Sequence, residues 1–263
     1  MASEGAFHLC TVTYLTTLLF WLFAGATAIQ LAAWWGLYIR LARHPAPGAA
    51  PFPSAPVSVI VCARNEALHL TAFLPAVLEQ DFPEFEVIVV DDDSSDETAA
   101  VLQQFQQKYD RLRVIRLAPK TGPGKKQALE AGIAAARYER LVFTDADCRP
   151  ASPLWLRHIA GGFGKAGVEI VLGYAPAYTR SGLLNRWIRF ETLQTAMQYF
   201  SFALAGLPYM GVGRNLAWLK PVFGRVQGFS RHRRIPSGDD DLLVNAAARG
   251  DNTALRLHPE AIV

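Results

Sequence analysis

Between Leu9 and Ile39 the chain carries no Asp, Glu, Lys or Arg. A helix needs roughly 20 predominantly apolar residues to cross the hydrocarbon core of a bilayer, so this stretch predicts one transmembrane helix within residues 1–44. A cleaved signal peptide would show a basic start, an apolar run of about 7–15 residues and a small-residue cleavage site. The first eight residues contain no Lys or Arg, which favours a retained anchor. Trp34, Trp35 and Tyr38 stand where an interfacial aromatic belt belongs, and Arg40, Arg43 and His44 follow at once. That distribution predicts a cell (inner) membrane anchor with its N-terminus outside and everything after residue 40 in the cytoplasm.

With 263 residues and 51% hydrophobic side chains, the chain can bury one good-sized core, which excludes disorder and collagen. Cys10, Cys62 and Cys148 are too scattered for a zinc site or a disulfide framework and fit a reducing compartment. Glu4 is the only charged residue before Arg40, leaving 26 Lys and Arg against 22 Asp and Glu beyond it. That mild balance argues against a nucleic-acid partner. The basic run Arg231, His232, Arg233, Arg234 can face anionic lipid or phosphate, or be solvated surface. Residues 45–56, PAPGAAPFPSAP, are too rich in proline for helix or central strand and read as an extended linker.

The folded domain is expected over residues 57–263. Strand-like VSVIVC at 57–62 precedes an amphipathic run with Leu70, Phe73, Leu74, Val77 and Leu78, and then strand-like EVIVV at 86–90. Ser94 and Glu97 have the spacing of a capping box that opens the next helix. There follow LRVIRL at 112–117, a helix around 124–137, RLVFTD at 140–145, a helix near 153–165 and VEIVLGY at 168–174. Such alternation predicts an α/β fold with a largely parallel sheet and ligands at the carboxyl ends of its strands. Residues 182–210 are helical in periodicity and aromatic, with Leu183, Leu184, Trp187, Phe190, Leu193, Met197 and Phe200 on the stripe and Arg186 and Arg189 near one end. Core packing is expected for most of that stripe, with a bilayer surface as the alternative.

Three acidic clusters fall at strand ends or helix starts. Asp91-Asp92-Asp93 follows EVIVV, where a carboxylate can accept from a base or ribose, or merely cap a turn. Asp145-Ala146-Asp147 follows LVFT, and an extended backbone would turn both carboxylates to one side, a hard-oxygen pair suited to Mg²⁺ or Mn²⁺. Gly238-Asp239-Asp240-Asp241 opens a helix, with Ser237 available as a cap; three acids exceed what a helix dipole asks for, and one can serve as a general base. Bringing these clusters together is costly without a cation or a proton, which predicts a divalent metal. Gly122-Pro-Gly-Lys-Lys is a candidate phosphate-facing turn without the spacing of nucleoside triphosphatases, and Gly211-Val-Gly-Arg-Asn lets backbone approach a ligand.

In their order, VSVIVCARNE, VVDDDSSDET, GKKQAL, FTDADC, GVGRN and SGDDDLL resemble the inverting family 2 glycosyltransferases of the GT-A fold, over roughly residues 57–250. The resemblance implies a mostly parallel mixed sheet flanked by helices and preceded by one transmembrane helix. It also implies a nucleotide-sugar donor, a UDP-sugar by the family's common usage, with Arg64, Glu66, Asp92, Lys125 and Asp145 on the donor side and Asp147 on the metal. Asp240 would be the catalytic base, standing where the family's Glu-Asp pair has its Asp, and Asp239 replaces the usual Glu; that change keeps Asp239 and Asp241 as alternative bases. Gly213, Arg214 and Asn215 match the turn on the acceptor side. The implied reaction is metal-assisted transfer with inversion, and the anchor adds a lipid-linked or envelope-polysaccharide acceptor. The chain departs from processive relatives in having no Gln-x-x-Arg-Trp-like motif, which suggests that the catalytic domain's C-terminal part is truncated. Two other readings remain, a catalytically idle membrane-tethered binding scaffold and a sugar nucleotidyltransferase, although the latter's Gly-rich first turn is here Ala63-Arg64-Asn65-Glu66.

Overall fold

The computed structural model describes residues 2–45, 55–117, 119, 122 and 124–263, with side chains from residue 12 onward. The chain divides into two compact units, Met1–His44 and Pro45–Val263. Most of the Pro-rich linker lies outside the described residues.

The first unit is one helix, α1 (Ala2–Ala42). Its segment Val12–Ala42 has mean hydropathy 1.6 and is long and apolar enough to cross a membrane. Thr16 and Thr17 donate their hydroxyls to the carbonyls of Val12 and Thr13 at 3.0 and 2.8 Å, so neither needs a water partner.

The second unit is built on β1 (Val57–Ala63), α2 (Ala67–Leu78), β2 (Phe85–Asp92), α3 (Thr98–Lys108), β3 (Leu112–Leu117), α4 (Lys126–Ala135) and β4 (Arg140–Asp145). It continues with α5 (Trp155–Ala160), β5 (Ile170–Gly173), α6 (Leu183–Leu204), β6 (Leu216–Leu219), α7 (Lys220–Arg225), α8 (Asp241–Ala247) and β7 (Thr253–Arg256). The seven strands form one mixed sheet in the order β3-β2-β1-β4-β6-β5-β7. β1, β2, β3 and β4 are mutually parallel, β6 runs antiparallel to β4 and β5, and β7 is parallel to β5. Helices on both faces explain why β2 is buried along its whole length and reads as an apolar run rather than an alternation. This is the GT-A-like architecture of the expectation, with β6 and β7 added: at four residues each, LAWL and TALR are too short for a period to be seen.

Three local expectations fail. Ser94 does not cap α3; its hydroxyl accepts from Asn65 N at 2.9 Å, while Glu97 holds the N-cap position and Asp96, one residue earlier, accepts from Thr98 N at 3.0 Å. Ser237 does not cap α8, because Asp240 is the residue at that position and accepts from Asp241 N. The apolar stripe of α6 is not mostly core. Phe200 is buried, but Leu183, Leu184, Trp187, Phe190 and Leu193 are exposed, because the sheet reaches only the second half of that helix.

At the edge of the sheet away from the strands' carboxyl ends, Glu86 is buried at the start of β2. Its Oε1 accepts from Ser58 Oγ and from Arg137 N, both at 2.7 Å, and its Oε2 accepts from Arg113 at 3.0 Å. Burial raises this carboxyl, but the three donors outweigh it and hold the group below its ordinary value. The Glu86 contribution to stability is therefore complete above the unfolded value near 4.5 and is lost as pH falls through the lowered folded value. Glu86→Gln should lower the thermal midpoint by roughly 3–8 °C at pH 7. The gap to the parent should close as the pH is taken below the carboxylate range, which calorimetry of the detergent-solubilised chain at several pH values would read.

Candidate active site

The site forms where the sheet changes direction of winding. β1 is followed by β2 on one side, and β4 returns to its other side, so the loops after β1 and β4 part and leave a crevice. Cys62 of β1 and Asp145 of β4 are paired across it.

Lys125 sits at the head of α4 with its ammonium 2.9 Å from Asp145 Oδ1 and 3.3 Å from Asp239 Oδ2. Burial alone would lower this ammonium, but Asp145 and Asp239 more than offset that and hold it above its ordinary value, so it stays charged. Asp239 is itself pushed up by burial and by neighbouring Asp240, with Lys125 pulling the other way. Burial likewise pushes up the Cys62 thiol beside them. Asp240 Oδ2 accepts from Gly213 N at 2.6 Å and its Oδ1 from Asp241 N at 2.8 Å, so both oxygens are fixed by backbone. A Cβ on Gly213 would come 3.2 Å from Asp240 Oδ2 and 3.5 Å from the Lys125 ammonium, which explains a residue without a side chain there.

Asp145 and Asp147 do not point the same way. β4 ends at Asp145, a turn closed by Cys148 N to Asp145 O follows, and the two carboxylates diverge. Asp147 is exposed and, among the described residues, accepts from the Cys148 thiol at 3.5 Å. Burial, then Asp147 and Asp145, raise that thiol to about 12. Asp147 lines a cleft of about 930 Å³ with Arg149, Tyr178, Arg180, Leu184, Ile188, Arg189 and Arg214 among its walls. An exposed hard-oxygen donor with an open side, at the mouth of a cleft, fits a divalent cation shared with phosphate oxygens.

The residues expected on the donor side are placed by interlaced loops. Asn65, at φ 57°, accepts from Ser95 N at 2.8 Å, and Glu66 N donates to Thr98 Oγ1 at 2.9 Å, locking the turn after β1 to the turn after β2. Arg64 is exposed on that turn, Asp92 is buried at the end of β2, and the Glu66 carboxylate pairs with His69 at 2.6 Å. Asp91 spends one oxygen on Ser94 N at 3.0 Å, a turn-forming role.

Two candidates lie apart from the cluster. Asn215 is fully buried: its Oδ1 accepts from Trp155 Nε1 at 3.0 Å, and its Nδ2 donates to the carbonyls of Tyr174 and Ala261 at 2.7 and 2.8 Å. It is a core bracket, not an acceptor-facing group. Asp241, the first residue of α8, has its carboxylate taken by Leu242 N at 2.8 Å. Nor does Lys126 face phosphate as the Lys-Lys pair suggested. Its buried ammonium donates to the carbonyls of His232, Ile235 and Ser237 at 3.1, 2.5 and 2.6 Å, pinning the loop that leads into Asp239 and Asp240. Sequence reasoning missed this because it depends on carbonyls more than 100 residues away. Gly124, at φ 69°, lets that loop come close, since a Cβ there would run into the Pro236 carbonyl.

A second titratable cluster, His158, His258 and Glu260, gathers within 4.8 Å. Its imidazoles are stacked, 4.0 Å apart and 9° from parallel. A metal lies in the plane of each imidazole it binds, and stacked parallel planes share no such point, so the arrangement does not fit a metal. The trio instead ties the segment after β7 to α5, with His158 Nε2 and Glu260 Oε2 3.1 Å apart.

A family model described as Glycosyl transferase family 2 matches residues 58–227. This chain belongs to glycosyltransferase family 2. Among family 2 relatives, it is 32% identical over 217 residues to a probable glycosyltransferase, YdaM, of Bacillus subtilis, covering 78% of this chain and 49% of that protein. It is 31% identical over 126 residues to a beta-monoglucosyldiacylglycerol synthase of Trichormus variabilis, covering 47% and 26%. The chain thus spans about half the length, or less, of these curated relatives. Its fold is that of the mannosyltransferase PcManGT of Pyrobaculum calidifontis, solved with GDP-Man and Mn²⁺, at TM-score 0.67 and 23% identity over 91% of this chain and 65% of that one.

The Lys126 tripod carries its own test. Lys126→Met removes three charge-assisted hydrogen bonds, each worth about 1.5–3 kcal/mol. Amide hydrogen exchange over residues 230–238 should speed by at least about tenfold, while exchange in β1 and β2 stays unchanged.

Proposed function

We propose that this family 2 glycosyltransferase moves a sugar from a nucleoside-diphosphate donor to the hydroxyl of a lipid-linked or envelope-polysaccharide acceptor, with inversion at the anomeric carbon. The carrying observation is the convergence of Lys125, Asp145, Asp239 and Asp240 at the crevice beside the Asp147 cleft. PcManGT, which shares the fold, binds GDP-Man and Mn²⁺, and the synthase relative is named for a glycolipid product.

In this reading Asp92 takes the nucleotide base, Arg64 and Glu66 the flank of the nucleotide, and Asp145 the nucleoside. Lys125 supplies positive charge on the donor side. Asp147 would hold a divalent cation, Mg²⁺ or Mn²⁺, which when bound stabilises negative charge on the departing diphosphate. Asp240 accepts the proton of the acceptor hydroxyl as that oxygen attacks the anomeric carbon from the face opposite the diphosphate. The bond between the anomeric carbon and the diphosphate oxygen breaks in the same displacement, which inverts the configuration. Two backbone N–H groups fix the Asp240 carboxylate and leave a lone pair on each oxygen for that proton. Asp239 positions Lys125 rather than acting as base, because its reach is taken up by that ammonium. Arg214 lines the cleft on the acceptor side, and Gly213 holds Asp240. A UDP-sugar is the favoured donor. α1 anchors the chain in the cell (inner) membrane, with the catalytic domain cytoplasmic by the Arg40 and Arg43 flank.

Calorimetry of the full chain in detergent with UDP, GDP and dTDP, with and without Mn²⁺, should show one metal-dependent nucleotide. Asp147→Asn should weaken that binding at least about tenfold. Absence of binding by the folded chain would favour the idle-scaffold alternative. Asp240→Asn should keep nucleotide binding within about twofold and lose about 10²–10⁴-fold in turnover. Undiminished transfer by that variant, measured as nucleotide release, would remove Asp240 from its role.

A further inference from the structure

The first half of α6 breaks the rule that an apolar helical stripe on a folded domain faces its core. Leu183, Leu184, Trp187 and Phe190 are 81%, 73%, 64% and 57% exposed. These are not the side chains of a fraying end. The second half of the same helix is seated firmly, with Ala196, Tyr199 and Phe200 buried and the Tyr199 hydroxyl donating to Gly173 O at 2.8 Å. The loop before α6 is fastened to it: Asn185 accepts from Arg180 N at 2.7 Å and donates to Tyr178 O at 3.0 Å. Tyr178, Arg180 and the exposed turns of α6 therefore form one ordered surface.

We propose that this surface, the loop 178–182 with the first two turns of α6, is a membrane contact of the catalytic domain itself, docking on an anionic lipid leaflet. Charge selects that occupant. Arg180, Arg186 and Arg189 are all exposed, against a single acid, Glu191, between Tyr178 and Leu193. Leu and Trp interleaved with a net excess of arginines suit the boundary between acyl chains and anionic headgroups, where the apolar groups sink about 5–10 Å and the arginines stay at headgroup depth. A second copy is the poorer occupant, because a two-fold contact through this patch would set the arginines against their own images.

The surface is continuous with the cleft, since Leu184, Ile188, Arg180 and Arg189 also line the space beside Asp147. Seated on lipid, the cleft would open at headgroup level. The docking is independent of which sugar or acceptor is used, and its test does not read transfer.

The chain contains six tryptophans, three of which, Trp21, Trp34 and Trp35, lie in α1, so Trp187 must be isolated by difference. The full chain and its Trp187→Phe variant would be placed in nanodiscs rich in phosphatidylglycerol, with or without brominated acyl chains. The difference emission should be quenched by bromine by more than about half and shielded from aqueous acrylamide. Changing Arg180, Arg186 and Arg189 together to Gln should remove more than about half of that quenching, on the scale of roughly fivefold in surface affinity per basic residue. Acrylamide quenching without bromine quenching would mean a solvent-facing patch. Shielding from both would mean a protein covers it, and equal bromine quenching in purely zwitterionic discs would remove the anionic preference. Each of these three results overturns the proposal.

Discussion

Several carboxylates crowd the carboxyl edge of a parallel sheet in this protein, and the Lys125 ammonium is what lets them do so. It stands 2.9 Å from Asp145 and 3.3 Å from Asp239, half-buried, where like charges at close range would otherwise drive protonation or force the loops apart. The loop after β4, the head of α4 and the approach to α8 meet at that one charge. The backbone around it is shaped accordingly: Gly124 admits the loop over Pro236, Gly213 yields its N–H to Asp240, and Lys126 anchors the same loop from the far side. Two adjacent lysines thus do different jobs, one neutralising carboxylates and the other holding carbonyls.

This arrangement separates two carboxylates that the spacing of the acidic motif after β4 puts side by side. Asp145 faces inward to the lysine, whereas Asp147 is exposed and lines an open cleft. The chain's own cation serves the inner carboxylates. Family 2 membership and the GT-A-like sheet follow from the match over residues 58–227 and from the strand order. The distribution of work among the acids comes from the local geometry of this chain.

Much of the scaffold was legible because burial on both faces leaves a direct mark. The runs that became β1, β2 and β4 are apolar, short and followed by polar residues, so their ends could be placed. β6 and β7, four residues each, carry no readable period. The capping box at Ser94 failed because a short polar side chain bonds whichever donor the fold brings near, here Asn65 from a different loop. The stripe on α6 misled for a related reason: periodicity records that a face is apolar, but not whether protein covers it.

The sequence by itself determined the apolar helix, the α/β alternation and the set of acids and lysines available for chemistry, because hydropathy period and residue type are local properties of the chain. Only the tertiary structure decided that Lys125 would sit between Asp145 and Asp239, and that Asn215 would vanish into the core. It likewise decided that Lys126 would clasp carbonyls more than 100 residues away. Each of these rests on which groups the fold brings within about 3 Å of one another from distant parts of the chain, and no local property of a chain encodes a distance across a fold.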